Sequence, residues 1–353
     1  MRFLIAGDIR AIHLVRYAEY FRNKGHQVAT LSLEKSKDYQ ADFQIPASRL
    51  PQFLKYPLAL KSFKKAIADF KPDLLNCHFI PNYGLLGVMS RFRPLAVNAW
   101  GSDVLISADN SWFHRKRVKH VLTNADMIVT DAAMLTEQVS KLSDLKKQVI
   151  TVPFGIDRDV LENGKQARFS SDESVVLIST RQLEPLYMVS DLLEAVSILP
   201  DKMINKTIVV GGGSQDNDLR QAVAELGLKK VDFTGRVPHK QVFDELHRAD
   251  IYVSCSRSDS TSVSLLEAMA SGLFPVVSDI EGNREWIEHG QNGLLFDVGD
   301  IEALARMLRW AAENPSLRAR ARKYNFDLIE KNAVWENNMA TVEEEFERLA
   351  GKT

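Results

Sequence analysis

The chain opens on a short apolar run at residues 3–6 and then changes period. Apolar positions recur at helical spacing over 12–24, Gly25 stops that pattern, and a β-rich run follows at 27–33. Similar runs return at 74–77, 95–99 and 127–130, with amphipathic stretches between them. Parallel strands need a crossover and a helix supplies it, so this alternation predicts a doubly wound, parallel α/β sheet.

The pattern lapses over 161–173, a polar stretch with little periodicity, and restarts at 174–180. Further runs at 207–210, 231–233, 251–254 and 274–277 repeat the first half's alternation. A chain of 353 residues also exceeds the usual single core. Two Rossmann-like domains are therefore expected, over 1–165 and 166–329, with a C-terminal helix at 330–353 returning to complete the first. From Ile301 onward the pattern is helical, with Leu304, Met307, Leu308 and Ala311 on one apolar face and Trp335, Met339, Val342 and Phe346 on another. This segment is expected to clasp the two domains.

Composition narrows the function. Lys+Arg 45 nearly cancels Asp+Glu 46, so no global charge draws the chain to nucleic acid. Cys77 and Cys255 each sit at an apolar run, which suits buried thiols in a reducing cytoplasm rather than a disulfide framework. No apolar stretch approaches the ~20 residues that cross a bilayer.

The strongest chemical signal lies at 258–277, which reads as loop, short helix, glycine stop at Gly272 and strand. Asp259 falls in the loop and Glu267 in the helix. Small residues Ser260, Thr261 and Ser262 let backbone N–H groups approach a ligand, and a helix N-terminus adds partial positive charge, which suits phosphate oxygens. Ser264 and Glu267 also have the spacing of a capping box, in which the carboxylate only satisfies a backbone donor. Taken alone, the spacing favours that cap.

A second signal, Thr180-Arg181 with Tyr187 beyond, follows the first strand of the second half. Ligands of open α/β sheets sit beyond the carboxyl ends of strands, and a guanidinium there can fork onto a diphosphate. The competing reading pairs Arg181 with Asp191 or Glu184 on the surface. Gly211-Gly-Gly213 also follows a strand and suits either close backbone approach or a plain turn. Gly7 ends the first strand, but positions 9 and 12 are not glycine, so the dinucleotide fingerprint is missing. Asp157-Arg-Asp159 has metal-nucleotide spacing that arises readily by chance, and no metal site is expected. Of the eight histidines, His13 and His78 are placed to reach a cleft, while His114, His120, His239, His247 and His289 fall in polar stretches.

In this order the motifs resemble family 4 of the retaining, GT-B-fold glycosyltransferases, over nearly the whole chain. The second half matches at Thr180-Arg181, Gly211 to Gly213, 231–237, 249–254, Asp259 with Glu267, Gly272, Pro275, Gly282-Asn-Arg-Glu285 and Asn292-Gly293. The first half matches at Gly7, Gly25-His26, Ala125-Asp126 and 152–157. The resemblance implies two facing domains, the first on the acceptor side and the second holding a nucleotide diphosphate sugar. It implies transfer of a hexosyl group, with uracil frequent as the base, to a glycan, lipid-linked or small-molecule acceptor.

Residue by residue, the resemblance implies that Glu267 accepts from ribose hydroxyls and Asp259 holds sugar hydroxyls. The amides of Ser262, Val263 and Ser264 would cradle the diphosphate, Arg181 would clamp it, and Arg236 and Val237 would meet the base. Gly7 and Gly213 join the donor-binding set, and no metal cofactor is implied. The chain departs from the family pattern at three points. Asp259 replaces a glutamate, and Tyr187 replaces the second diphosphate cation. Trp100-Gly-Ser-Asp103 stands where many members have histidine, leaving Asp103 as the polar group expected at the reacting carbon, beside acceptor-side His13, His78 and Trp100. A non-catalytic sugar-nucleotide binder and an epimerase of the same fold remain as alternatives.

The stretch 49–65 interleaves Leu50, Phe53, Leu54, Leu58, Leu60 and Phe63 with Arg49, Lys55, Lys61, Lys64 and Lys65, and it holds no acid. Together with the basic cluster from His114 to His120 it suits peripheral contact with an anionic membrane. An amphipathic helix packed on the sheet explains the same stretch and is the favoured reading.

Overall fold

The computed structural model describes residues 1–46, 52–101, 104, 112–142, 148–167 and 174–351. The chain divides into two compact units, Met1–Pro153 with Asn337–Thr353, and Phe154–Glu336.

Among the described residues, the first unit holds a seven-stranded sheet whose paired strands all run parallel. Its strands are β1 (Arg2–Ala6), β2 (Gln27–Ser32), β3 (Phe43–Gln44), β4 (Leu74–His78), β5 (Leu95–Asn98), β6 (Met127–Thr130) and β7 (Gln148–Thr151). Their order is β3-β2-β1-β4-β5-β6-β7. Central strands are apolar along their length because helices cover both faces: β4, β5 and β6 are buried at every position. Each fully buried Leu, Ile or Phe contributes about 1.5–3 kcal/mol of transfer free energy.

Helix Gln52–Phe70 spans most of the basic stretch and packs an apolar face on the core. Tyr56, Ala59, Phe63 and Ala66 repeat at helical spacing and are buried in the core, while Leu58, Lys61, Lys64 and Lys65 face outward. Arg49, Leu50, Phe53, Leu54 and Lys55 lie outside the described side chains. Residues from Asn337 onward belong to this unit, with Phe346 set 6.1 Å from Phe3 and 5.8 Å from Phe21 between ring centroids. Glu343 accepts from the Tyr20 hydroxyl at 2.8 Å and pairs with His26 at 2.7 Å.

The second unit holds, among the described residues, a six-stranded sheet of parallel pairs in the order β10-β9-β8-β11-β12-β13. Its strands are β8 (Val175–Ser179), β9 (Ile204–Val210), β10 (Val231–Gly235), β11 (Ile251–Ser254), β12 (Phe274–Ser278) and β13 (Leu294–Phe296). The break between units falls after Pro153, ahead of the expected one at 165, because helix Arg158–Gln166 packs on this unit. Gly164 there sits so close to Ala270 that a Cβ would lie 2.0 Å from its carbonyl oxygen.

In each sheet the chain reverses its direction of winding once, between β1 and β4 in the first unit and between β8 and β11 in the second. The carboxyl ends of strands at such a switch point diverge and leave room for a ligand. Cys77 and Cys255 are buried free thiols, and burial pushes both well above the usual thiol range.

Candidate functional site

Two segments leave the switch point of the second unit on either side: Thr180-Arg181 after β8, and the loop after β11 that leads into helix Val263–Ala270. They meet through Arg181. Its Nη2 donates to Asp259 Oδ2 at 2.6 Å, and its Nη1 donates to Ser262 Oγ at 2.6 Å and Ser264 Oγ at 2.7 Å. The Tyr187 ring covers the guanidinium face at 4.2 Å. Tyr252, on β11, closes the far side with a 2.9 Å contact between its hydroxyl and Ser264 Oγ. Burial works against the Arg181 charge, but Asp259, Tyr252 and Tyr187 outweigh it and hold the pKa above its ordinary value. Arg181 therefore pairs with neither Asp191 nor Glu184: Asp191 accepts from Ser190, and Glu184 from Ser214. Among the described residues, Arg181 Nε and Thr180 Oγ1 are buried here without a hydrogen-bond partner.

The helix at this loop starts two residues earlier than a capping box requires. Ser262 is its N-cap, accepting from the Leu265 amide, so Ser264 lies inside the first turn and turns its hydroxyl to Arg181. Amides of the first turn have no intrahelical carbonyl to donate to, which leaves those of Val263 and Ser264 directed at the switch point. Glu267 caps nothing. Its Oε1 accepts from His239 Nε2 at 2.7 Å, and the carboxylate is 10% exposed. The capping-box reading of Glu267 is thereby corrected, because its oxygen reaches another helix instead of its own backbone.

His239 was not singled out by the sequence, where it looks like a solvated residue in a polar stretch. It opens helix His239–Leu246, its side chain 62% exposed and its ring edge-on to Phe243 at 5.0 Å. It also lines a pocket of about 440 Å³ with Asp157, Asp159, Asn163, Phe243 and His247. The signal available in the sequence was its place two residues after Val237, at the carboxyl end of β10.

Gly213 has a structural reason of its own. A Cβ there would fall 2.2 Å from the Leu183 carbonyl oxygen, so the returning chain after Arg181 already demands glycine. Arg236 is exposed and lays its side chain along Gly212, while Val237 is half-buried against the core.

The remaining candidates gather at the switch point of the first unit. Gly7 follows β1 and is filled in by Leu14 and His78, whose atoms a Cβ would meet at 2.2 and 3.1 Å. His78, at the end of β4, is 3% exposed and stands edge-on to Tyr17 at 4.9 Å and tilted to Trp100 at 5.2 Å. Trp100 stacks on His13 at 5.6 Å. Beneath them a chain of buried amides orients His78: its Nε2 meets Asn76 Oδ1 at 2.7 Å, Asn76 donates to Asn98 Oδ1 at 2.6 Å, and Asn98 donates to the Tyr17 hydroxyl at 3.1 Å. Burial lowers His78 to about 3, with His13 adding to it, and burial lowers His13 to about 4, with Arg16 adding. Both rings are thus neutral near pH 7. Asp103 lies outside the described residues. Three ligand-type side chains gather, among the described residues, at His26, Glu343 and Glu347.

Two family models match, "Glycosyl transferases group 1" over residues 161–327 and "Glycosyl transferase 4-like" over 2–132. The phosphatidyl-myo-inositol mannosyltransferase of Mycolicibacterium smegmatis is 24% identical over 330 residues, covering 90% of this chain and 84% of that protein. Among solved structures, sucrose-phosphate synthase from Thermosynechococcus elongatus superposes with a TM-score of 0.84 at 16% identity over the full length of both chains. Anabaena HepE in complex with UDP superposes with a TM-score of 0.80 at 16% identity, covering 98% of this chain and 99% of that one. These likenesses establish the GT-B architecture of two Rossmann-like domains.

Proposed function

The chain belongs to the group 1 glycosyltransferases, and from that premise we propose that it transfers a hexosyl group from a UDP-sugar to a glycan, lipid-linked or small-molecule acceptor with retention of configuration. The observation that carries the reading is the Arg181 network. A buried cation, two serine hydroxyls and the Val263 and Ser264 amides of the helix's first turn converge at the carboxyl ends of β8 and β11. Such a set suits a diphosphate, and a fixed positive charge matters most as negative charge builds on the departing nucleotide. Arg181 Nε and Thr180 Oγ1, buried and without a partner among the described residues, add donors at the same place.

In this reading Glu267 accepts from the ribose hydroxyls, Asp259 holds the sugar, Arg236 and Val237 meet the base, and the leaving phosphate takes the acceptor's proton on the face it departs from. Asp103, His13, His78 and Trp100 form the acceptor side, and no metal ion takes part. Uracil is supported by the Anabaena neighbour, whose solved structures hold UDP and UDP-glucose. A lipid-linked acceptor is supported by the name of the mycobacterial relative.

A thermal-shift series with UDP-, GDP- and ADP-sugars tests the donor. A ligand at about 100 times its dissociation constant stabilises by about 2.7 kcal/mol. The reading requires that shift for a UDP-sugar and its persistence in EDTA, followed by an anomer-retaining product in NMR. A flat response to every nucleotide would sink it.

A further inference from the structure

Resting on the reading that Glu267 receives the ribose, we infer that His239 is a positioning residue for donor binding, holding the Glu267 carboxylate in its receiving orientation. A carboxylate has no proton to give, so the 2.7 Å contact is a bond from His239 Nε2–H to Oε1. Among the described residues it is the bond that the Glu267 side chain makes, and Oε2 is left open to a further donor. A glutamate has three side-chain torsions, and ordering them costs entropy that binding must otherwise supply. A partner that fixes one oxygen before the nucleotide arrives removes that cost and leaves the second oxygen aimed outward.

The imidazole can do this because it is itself held. His239 is the first residue of its helix, fixed behind the turn at Pro238, and its ring rests edge-on against Phe243 one turn on. Its helix begins directly after β10, and Glu267 lies on the helix that starts beyond β11, so the contact joins two elements on opposite sides of the switch strand β8. The ring is 62% exposed, so the fold does not depend on burying it, and the carboxylate it meets is 10% exposed. A group that contributes little to the core yet orders a buried acid has its effect on the ligand of that acid.

The test uses the full chain, UDP as probe, and calorimetry, with melting temperature as the folding control. A hydrogen bond to a charged group is worth enough that His239→Phe, which keeps the ring and loses the donor, should weaken UDP about tenfold. His239→Gln restores an N–H at the Nε2 position and should stay within about threefold of the unaltered chain. With a UDP-sugar the loss should appear in KM and leave kcat unchanged, since ground state and transition state share the ribose contact. In a Glu267→Gln background, His239→Phe should add less than about twofold, because coupled residues do not add. If His239→Phe lowers the melting temperature, His239→Ala replaces it. Unaltered UDP affinity in His239→Phe, or an equal loss in both backgrounds, overturns the positioning role. The premise fails separately: UDP affinity unmoved by Glu267→Gln would show that Glu267 does not receive the ribose.

Discussion

Arg181 donates to Asp259 at 2.6 Å across 78 residues of chain, with the guanidinium 9% and the carboxylate 22% exposed. The group proposed to hold the diphosphate and the group proposed to hold the sugar are thus partners of each other before any ligand arrives. Removing one of them leaves the other's charge poorly solvated. Arg181→Ala should therefore lower stability by about 3 kcal/mol in urea unfolding, and Asp259→Asn by less, since an amide oxygen still accepts from Arg181. In the folded fraction of Arg181→Ala, turnover should drop more than donor affinity. An unchanged turnover number would remove Arg181 from the chemistry.

Tyr187 acts through its ring face, 4.2 Å from the guanidinium, at the position where the family pattern places a second cation. Tyr187→Phe keeps that face and should leave melting temperature and UDP affinity near their original values, whereas Tyr187→Ala should lower both. Tyr187→Lys sets a like charge beside Arg181, so it should destabilise the ligand-free chain and regain stability when UDP is added. A large loss in Tyr187→Phe would assign the role to the hydroxyl instead.

His78 and His13 predict an acid-sensitive first unit. His78 and His13 titrate near 3 and 4 when folded, against about 6.5 in an unfolded chain. Between those values the unfolded state binds more protons, so stability is full above about pH 6.5 and declines as the pH falls, by up to about 1.4 kcal/mol per pH unit for each ring. Melting temperature should fall steadily from pH 6.5 to 4.5, and His78→Gln should flatten that slope. An equal slope in the variant would mean other groups are responsible. Near neutral pH the rate profile should show no inflection from either ring.

The membrane proposal now rests on helix Trp112–Asn124 more than on the 49–65 stretch. Trp112 and Phe113 are 71% and 57% exposed and adjoin exposed Arg115, Lys116 and Lys119, with the Lys116 ammonium 4.0 Å over the Trp112 ring. Leu58, 63% exposed, stands with Lys61, Lys64 and Lys65 on helix Gln52–Phe70. Among the described residues no helix is long and apolar enough to cross a membrane. Co-sedimentation with vesicles should increase with anionic lipid and weaken with salt, each basic side chain adding about 1 kcal/mol near the surface. Charge reversal at Lys116 and Lys119 should reduce it. Equal recovery in the supernatant with neutral and anionic vesicles would rule the contact out.

The central strands of both sheets were readable in the sequence because burial on two faces forces a continuous apolar run, as at β4, β5 and β11. The strands that escaped notice, β3, β7 and β13, are all sheet edges. An edge strand is short and covered on fewer sides, so the residues of β3 and β7 can stay polar, with Gln44 and Thr151 exposed, while β13 is apolar and mostly buried but only three residues long. The break between units precedes helix Arg158–Gln166, which is short and mostly polar but buries Val160, Leu161 and Gly164 on one face against the second unit.

The sequence by itself determined which residue types stand at the carboxyl ends of β8 and β11, because turn chemistry and motif order are properties of neighbours along the chain. Tertiary structure alone decided whom they meet. Arg181 finds Asp259 rather than the nearby Asp191 or Glu184, Ser264 turns to Arg181 instead of capping its helix, and Glu267 is held by a histidine 28 residues away. Periodicity records which face of an element is buried. The partner of a polar side chain depends on how strands are ordered in the sheet and how far each loop projects beyond them, and residue spacing carries neither quantity.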